Sequence, residues 1–205
     1  NESSKENIFV IPMDPVLYKA RNMYLVRSRH YAHAKAYSQD GWNGASATKE
    51  AVAVFRKDAV DPRMEKTYFL GKVYGPDGNP VMDGDNELEY KPDAIALDVS
   101  GSTNEKTAGA RLAKYEFDLT AQAGGQLVHN DWVLFRYADV LLMKSEALVR
   151  AGQNGDAELQ QVRVRAGAGA RAATLNNLLD ERLLEFAWEG MRRQDLIRFG
   201  KYHLP

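Results

Sequence analysis

Two groups of residues in this 205-residue chain have chemistry beyond what folding requires. The first is Trp42-Asn43 in the loop SQDGWNG, preceded by Tyr31 and Tyr37. A sugar presents an apolar C–H face and a rim of hydroxyls. Its recognition favours an exposed ring for stacking, with amide, carboxylate or guanidinium groups close by. Asn43 offers both a donor and an acceptor. Gly41 and Gly44 flank the pair, which predicts a ring standing clear of the backbone. A loop tryptophan also serves to plug the core beneath it. On the residues alone both readings stay open.

The second group is charged. Glu181, Glu185 and Glu189 recur at i, i+4 and i+8, so they line one face of a helix. A glycosidase needs two carboxyl groups facing each other across a sugar, roughly 5 to 9.5 Å apart. Three on one stripe, among Arg182, Arg192 and Arg193, predict structural ion pairs instead. Arg136 and Asp139, at i and i+3, are read the same way. With Glu146, Arg163, Arg165, Asp195 and Arg198 they make a candidate structural network. Charges this close to an apolar stripe predict partners across helix seams, because an unpaired buried charge is costly.

Other signals are weaker. His30-x-x-His33 brings two imidazoles to one face if helical, but lacks the glutamate and spacing of H-E-x-x-H. It predicts solvent-exposed histidines and no metal site. GAGAGARAA follows a helix rather than a strand and lacks G-K-[ST], so it reads as a connecting loop. There is no G-x-S-x-G elbow. No catalytic residue and no cofactor are expected. The absence of cysteine excludes disulfides, thiol catalysis and the commonest structural zinc sites. With 27 basic against 28 acidic side chains, nothing general draws the chain to nucleic acid or to anionic membrane. No apolar run approaches the ~18 residues of a spanning helix. The opening NESSKENIF lacks the basic-then-apolar form of a signal peptide.

The elements that must position these groups fall into two halves, with a boundary near residue 128. Residues 1–128 read as a loop-rich half with short strands and helices. IFVI, ended by Pro12, is strand-sized, and TYFLGKVYG and LAKYEFDL are further strand candidates. Pro15 to Ala36 has helical spacing in parts, at Leu17, Tyr18, Tyr24, Leu25 and Tyr31. Thr48 is a candidate N-cap for KEAVAVFRKD, which Asp61-Pro62 ends. Residues 129–205 read as all-helical, over 131–151, 156–166, 174–189 and 191–200. Asp156 and Thr174 are the candidate N-caps, and Gly152 and Gly190 fit C-terminal positions.

Three runs in the helical half carry a resemblance: RYADVLLMKSEALVRAG, VRVRAG, and DERLLEFAWEGMRRQDLIRFG. Together they resemble the C-terminal region of SusD/RagB-like proteins. Arg136, Tyr137, Ala138, Asp139, Glu146, Ala147 and Leu148 match the first family run, R-Y-A-D/E-V-L-L-x-x-A-E-A-L. Val162, Arg163, Arg165, Ala166 and Gly167 match N-x-V-R-x-R-A-G. Glu181, Arg182, Glu185, Glu189, Gly190, Arg192, Asp195, Leu196 and Arg198 match E-R-x-x-E-x-x-x-E-G-x-R-x-x-D-L-x-R. Upstream, KENIFVIPM, GWNG, FRKDAVDPRMEKTYF and ARLAKYEFD agree, so the resemblance covers nearly the whole chain. Departures are glutamine at 160 and 161, where the family commonly has asparagine, and Arg193-Gln194 in place of an aromatic pair.

The resemblance implies a mainly α, α-superhelical (TPR-like) SusD-type fold, of which this chain is the C-terminal part. It implies non-catalytic binding of an oligosaccharide or other nutrient at the bacterial cell surface. Delivery would be to a SusC-like TonB-dependent transporter in the outer membrane. Family members are lipoproteins typically more than twice this length, so contact with the membrane would be through a lipid anchor absent from this chain. The family's glycan site is lined by aromatics from a region that corresponds to Met13–Asp61, which favours the stacking role for Trp42. No residue-level ligand set transfers. A glycan-cleaving enzyme and a purely structural helical interaction module remain the alternatives.

Overall fold

The computed structural model describes residues 4–17, 27–122 and 124–203. In chain order the first elements are β1 (Asn7–Ile11), α1 (Tyr31–Ala36), α2 (Lys49–Arg56), α3 (Arg63–Thr67), β2 (Tyr68–Phe69) and β3 (Gly71–Lys72). Then come β4 (Met82–Asp83), β5 (Asn86–Glu87), β6 (Glu89–Tyr90), β7 (Arg111–Leu112) and β8 (Trp132–Arg136). Four helices close the chain: α4 (Tyr137–Arg150), α5 (Asp156–Ala166), α6 (Leu175–Phe186) and α7 (Arg192–Arg198). The described residues are thus rich in helix with several short strands. They cluster into two compact units that interleave along the chain.

One unit comprises residues 1–10, 53–64 and 133–205. Its core is a seam of α4, α5 and α6, where Ala138, Leu142, Leu159, Val162, Leu178 and Phe186 are buried together. The α4–α5 turn is tight. A Cβ on Gly155 would sit 2.5 Å from the Ser145 carbonyl oxygen, and the Ser145 hydroxyl donates to the Gly155 carbonyl at 2.7 Å. Thr174 caps α6, its hydroxyl accepting from the Asn177 amide at 3.2 Å. Asp156 is not a cap. Gly155 holds that position, the Asp156 amide donates to Asn154, and the Asp156 carboxylate accepts from the Ala173 amide.

The helix expected over 131–151 begins only at Tyr137. Trp132–Arg136 is a strand instead, hydrogen-bonded to β1 in a two-stranded sheet. Its aromatic and β-branched residues suit a pleated, half-buried surface. The helix expected over 174–189 stops at Phe186, because Ala187 is extended and Trp188 takes a left-handed φ of 67°.

The other unit comprises residues 11–52 and 65–132. TYFLGKVYG is not one strand. Gly71 turns with φ 66°, so β2 pairs antiparallel with β7 while β3 pairs antiparallel with β6. Of LAKYEFDL, only Leu112 lies in a strand. The hairpin β4–β5 completes a small core of Val73, Val81, Leu88 and Tyr90. Thr48 accepts from the Ala51 amide at 3.3 Å at the start of α2. The helical spacing at Tyr18, Tyr24 and Leu25 lies outside the described residues.

Candidate functional site

The loop carrying Trp42 is cinched against the start of α1. A Cβ on Gly41 would meet the Ala34 Cβ at 2.8 Å and the Arg29 and His30 carbonyl oxygens at 2.9 Å. Gly41 therefore serves close backbone approach; ring clearance, the role expected of it, is set elsewhere. Gly44 donates its amide to the Arg27 carbonyl at 2.6 Å, in the same loop. The Trp42 indole N–H donates to Asp40 Oδ2 at 3.0 Å, and Asp40 also accepts from the Gly41 amide and from Gln126. So anchored, the ring is 44% exposed. The Arg27 guanidinium carbon lies 5.9 Å from the ring centroid.

Asn43 sits in the left-handed region at φ 51°, a conformation asparagine tolerates better than most residues. Its side chain is engaged within the protein. Nδ2 donates to the Lys106 carbonyl at 2.8 Å, and Oδ1 accepts from Arg111 Nη2 at 2.9 Å and Nε at 3.1 Å. Two lone pairs and one amide hydrogen are thus committed to a latch. The sequence could not show this, because Lys106 and Arg111 are more than sixty residues away.

Tyr31 is 45% exposed, with the Lys106 ammonium 6.0 Å from its ring centroid and the His30 ring at 4.5 Å. Tyr31, Lys106, Asn43 and Trp42 thus form one connected cluster. Tyr37 takes a different face, about 120° around from Tyr31 at 3.6 residues per turn. Its ring stacks on Phe117 at 3.8 Å and its hydroxyl donates to the Tyr74 carbonyl at 3.0 Å. That ring has one face already covered.

His30 and His33, expected in solvent, are both buried. His30 caps α1, its Nδ1 accepting from the Ala32 amide at 3.2 Å. His33 lies among Phe69, Tyr37 and Phe117, with Nδ1 3.2 Å from the Tyr90 hydroxyl. Burial, with the nearby Arg29 and His30 charges, pushes His33 down to about 3. The His33 ring completes an aromatic cluster, while the His30 ring lies against Tyr31 and 3.5 Å from Asp83. Arg29 is buried too, and among the described residues it pairs with no carboxylate. It donates to Gln39 at 2.7 Å and to backbone carbonyls, and covers Phe117 at 3.8 Å. Burial lowers its pKa to about 10.

The charged residues of the helical unit meet pairwise. Glu181, fully buried, lies 2.7 Å from Arg63 and 2.6 Å from Arg163. Glu185 contacts Arg63 at 3.2 Å, Arg136 at 2.5 Å, and Arg165. Glu189 pairs with Arg136. Arg182 bridges Asp139 at 2.8 Å and Asp195 at 2.7 Å. Arg198 joins Asp195 to Glu146, which Arg150 also holds. Burial raises the Glu146 carboxyl, but Arg198 and Arg150 outweigh it and hold the group below its usual range. Phe186 carries two guanidinium groups, Arg136 at 4.5 Å and Arg182 at 5.1 Å. Arg192 donates to the Leu179 carbonyl at 2.8 Å.

Sequence reasoning missed Arg63, Asp61, Asp58 and Glu6. Arg63 grips Asp61 at 2.6 Å, Arg163 meets Asp58 at 2.8 Å, and Glu6 meets Arg136 at 2.7 Å as well as Arg165. None of the four lies on a long amphipathic helix, so periodicity could not reveal them. A groove of about 250 Å³ opens beside this network, lined by Glu6, Tyr137, Leu141, Val162 and Arg165 among others. Among the described residues, no group of three or more metal-ligating side chains comes together.

Over a 74-residue stretch the chain is 38% identical to the starch-binding protein SusD of Bacteroides thetaiotaomicron, covering 35% of this chain and 13% of SusD. Among solved structures, it is similar to surface glycan-binding protein A from Bacteroides uniformis. That match has a TM-score of 0.66 at 23% identity, over 96% of this chain and 38% of the other. Surface glycan-binding protein A from B. thetaiotaomicron, in complex with laminarihexaose, matches with a TM-score of 0.62 at 25% identity, over 96% of this chain and 43% of the other. The chain therefore spans less than half the length of these solved relatives. The family model for SusD matches residues 5–204, nearly end to end, and this chain belongs to the SusD family.

Proposed function

We propose that the protein binds an oligosaccharide at the bacterial cell surface, without cleaving it, through the face that carries Trp42. The observation that carries this is the half-exposed indole, anchored by Asp40 so that ordering the ring costs little on binding. Tyr31 contributes a second exposed ring. Asn43 acts chiefly as the latch that holds the loop, and Tyr37 chiefly as support from behind. Family membership and a relative solved with laminarihexaose support a glycan as ligand. Against catalysis stands the engagement of Glu181, Glu185 and Glu189 by arginines. Each is held in ion pairs with arginine.

In this reading the helical residues belong to an α-superhelical, TPR-like scaffold in the intact protein, with residues 1–128 supplying the binding loops and 129–205 the helical region. The protein delivers its ligand to a SusC-like TonB-dependent transporter, held to the outer membrane by a lipid anchor.

The test is calorimetry of the full-length protein and its Trp42→Ala variant against laminarihexaose, maltohexaose and cellohexaose. Loss of one stacking ring is expected to weaken binding by about 1–3 kcal/mol, the range for a base on an aromatic platform, with the melting temperature retained. Unchanged affinity, or a collapse of stability in place of binding, returns Trp42 to the core-plug role and removes the reading.

A further inference from the structure

The face around Trp42 has an unbalanced charge. Arg27, exposed, stands over Trp42, and Lys106, exposed, stands over Tyr31. Among the described residues neither makes an ion pair with a carboxylate. Behind them lie two buried guanidinium groups that also lack carboxylate partners. Arg111 donates to Asn43 and to the Ala108 and Gly109 carbonyls, and Arg29 donates to Gln39. The carboxylates in the same neighbourhood keep their charge but are held by neutral partners rather than by Arg27 or Lys106. Asp40 accepts from the Gly41 amide, Trp42 and Gln126. Asp83 lies 3.5 Å from His30 Nε2, and Glu105 accepts from the Gly101 amide at 3.1 Å.

We infer that this face selects acidic sugars, those bearing a carboxylate or sulfate, over neutral ones. The geometry supplies the reason. Asn43 ties the Trp42 loop to the Lys106 backbone, and the Gly44 amide ties the same loop to the Arg27 carbonyl. A sugar bound across the exposed edges of Trp42 and Tyr31 lies within reach of Arg27 and Lys106, the cations beside those rings. A neutral hydroxymethyl gains an ordinary hydrogen bond there. An anionic group gains a charge-assisted one, which is shorter and stronger. The selection therefore rests on the two exposed cations themselves, which have no carboxylate partner among the described residues and are open to an anionic substituent.

The inference rests on the proposed glycan-binding face, and the experiment separates the two. The full-length protein is titrated by calorimetry with laminarihexaose, maltohexaose and cellohexaose, and with the same three oxidised at C6 to uronates. At least one acidic sugar is expected to bind on the order of tenfold tighter than its neutral parent at low salt, given about fivefold per exposed ion pair at the upper end. The preference narrows as ionic strength rises and the Debye length falls. Arg27→Gln and Lys106→Gln are each expected to lower the acidic-to-neutral ratio by about threefold, within the same range for one pair. Equal affinity for both members of every pair that binds, or a ratio that neither variant alters, overturns the selection while leaving glycan binding in place. If none of the six sugars binds, or binding is indifferent to Trp42→Ala, both the selection and the face itself are overturned.

Discussion

Arg136 grips Glu189 through two parallel hydrogen bonds, Nε to Oε2 at 2.8 Å and Nη2 to Oε1 at 3.0 Å. The same guanidinium reaches Glu185 and Glu6, and its carbon lies over Phe186. It thereby links the strand–helix junction at the start of α4 to the end of α6. Burial by itself would lower the Arg136 pKa, but the fork with Glu189 and the charge of Glu185 raise it, so the group stays charged.

Removing one partner leaves the other buried and uncompensated. Arg136→Ala is expected to cost about 3 kcal/mol or more, a fall in Tm of roughly 6–12 °C at this chain length. Glu185→Ala acts in the same direction because it strips a partner from Arg63, Arg136 and Arg165 together. Thermal melts monitored by circular dichroism decide it. Variants that melt with the parent would mean these charges are solvated and do not join the helices.

Asn43 supplies a second test. Its Oδ1 is the acceptor for two nitrogens of Arg111, which is 2% exposed. Asn43→Ala removes that acceptor and also places a Cβ residue without the asparagine side chain at positive φ. Asn43→Gly removes the same side-chain bonds, to Arg111 and to the Lys106 carbonyl, without the Cβ at positive φ. Leaving a buried charged donor short of a partner is expected to cost about 1–3 kcal/mol in both, with the alanine variant the less stable by about 1 kcal/mol. Equal stability of all three proteins by chemical denaturation would show that solvent replaces the latch without loss.

Much of this architecture is legible in the sequence where it is local. Apolar spacing reveals α5 and the body of α4 and α6, because side chains three and four apart share a face whatever else the chain does. Thr174 and Gly152 are legible for the same reason: capping and left-handed turns depend on one residue and its immediate neighbours. Trp132–Arg136 is misread because its apolar run fits helix and strand alike, and only pairing with β1 decides between them. His33 on α1 is misread because the aromatic cluster that buries it comes from Phe69, Tyr90 and Phe117, far along the chain. At the candidate site Trp42 is visible from composition and loop chemistry. The commitment of Asn43 to Arg111 is a tertiary fact that no local pattern encodes.

The loop's seat depends on Gly125. Its φ is 88°, and a Cβ there would lie 2.2 Å from the Gln39 Cα and 2.5 Å from the Asp40 nitrogen. Neighbouring Gly124 has φ 69° with nothing within 4 Å of such a Cβ. Gly124→Ala is therefore expected to cost only the left-handed strain, about 1–2 kcal/mol. Gly125→Ala adds an overpacking cost of about 1–3 kcal/mol and displaces Asp40, the anchor of the Trp42 indole. Glycan affinity measured on both variants should fall for Gly125→Ala and hold for Gly124→Ala. The same affinity in both would detach Asp40 from the binding face.

His33 makes stability depend on pH with a definite sign. Its folded pKa is pushed down to about 3 by burial and by the Arg29 and His30 charges, whereas in the unfolded chain it sits near the ordinary histidine value of 6.5. Above the unfolded value both states carry a neutral ring, and the group contributes nothing to the pH dependence. As pH falls below about 6.5 the unfolded chain takes up a proton that the folded protein refuses. Stability is then lost with a slope approaching about 1.4 kcal/mol per pH unit per proton. His30 is lowered in the same direction, chiefly by burial, and adds to the loss. Asp118 is raised by burial but held at about 2 by hydrogen bonds from Thr120 and His129, so its contribution disappears only below about pH 4. The interval from pH 7 to pH 5 therefore isolates the histidines. Urea unfolding across it should show the parent losing stability steadily and His33→Gln losing less per pH unit, even though the variant starts lower for want of aromatic packing. Parallel slopes would mean that the His33 ring takes up its proton inside the folded protein at an ordinary pH.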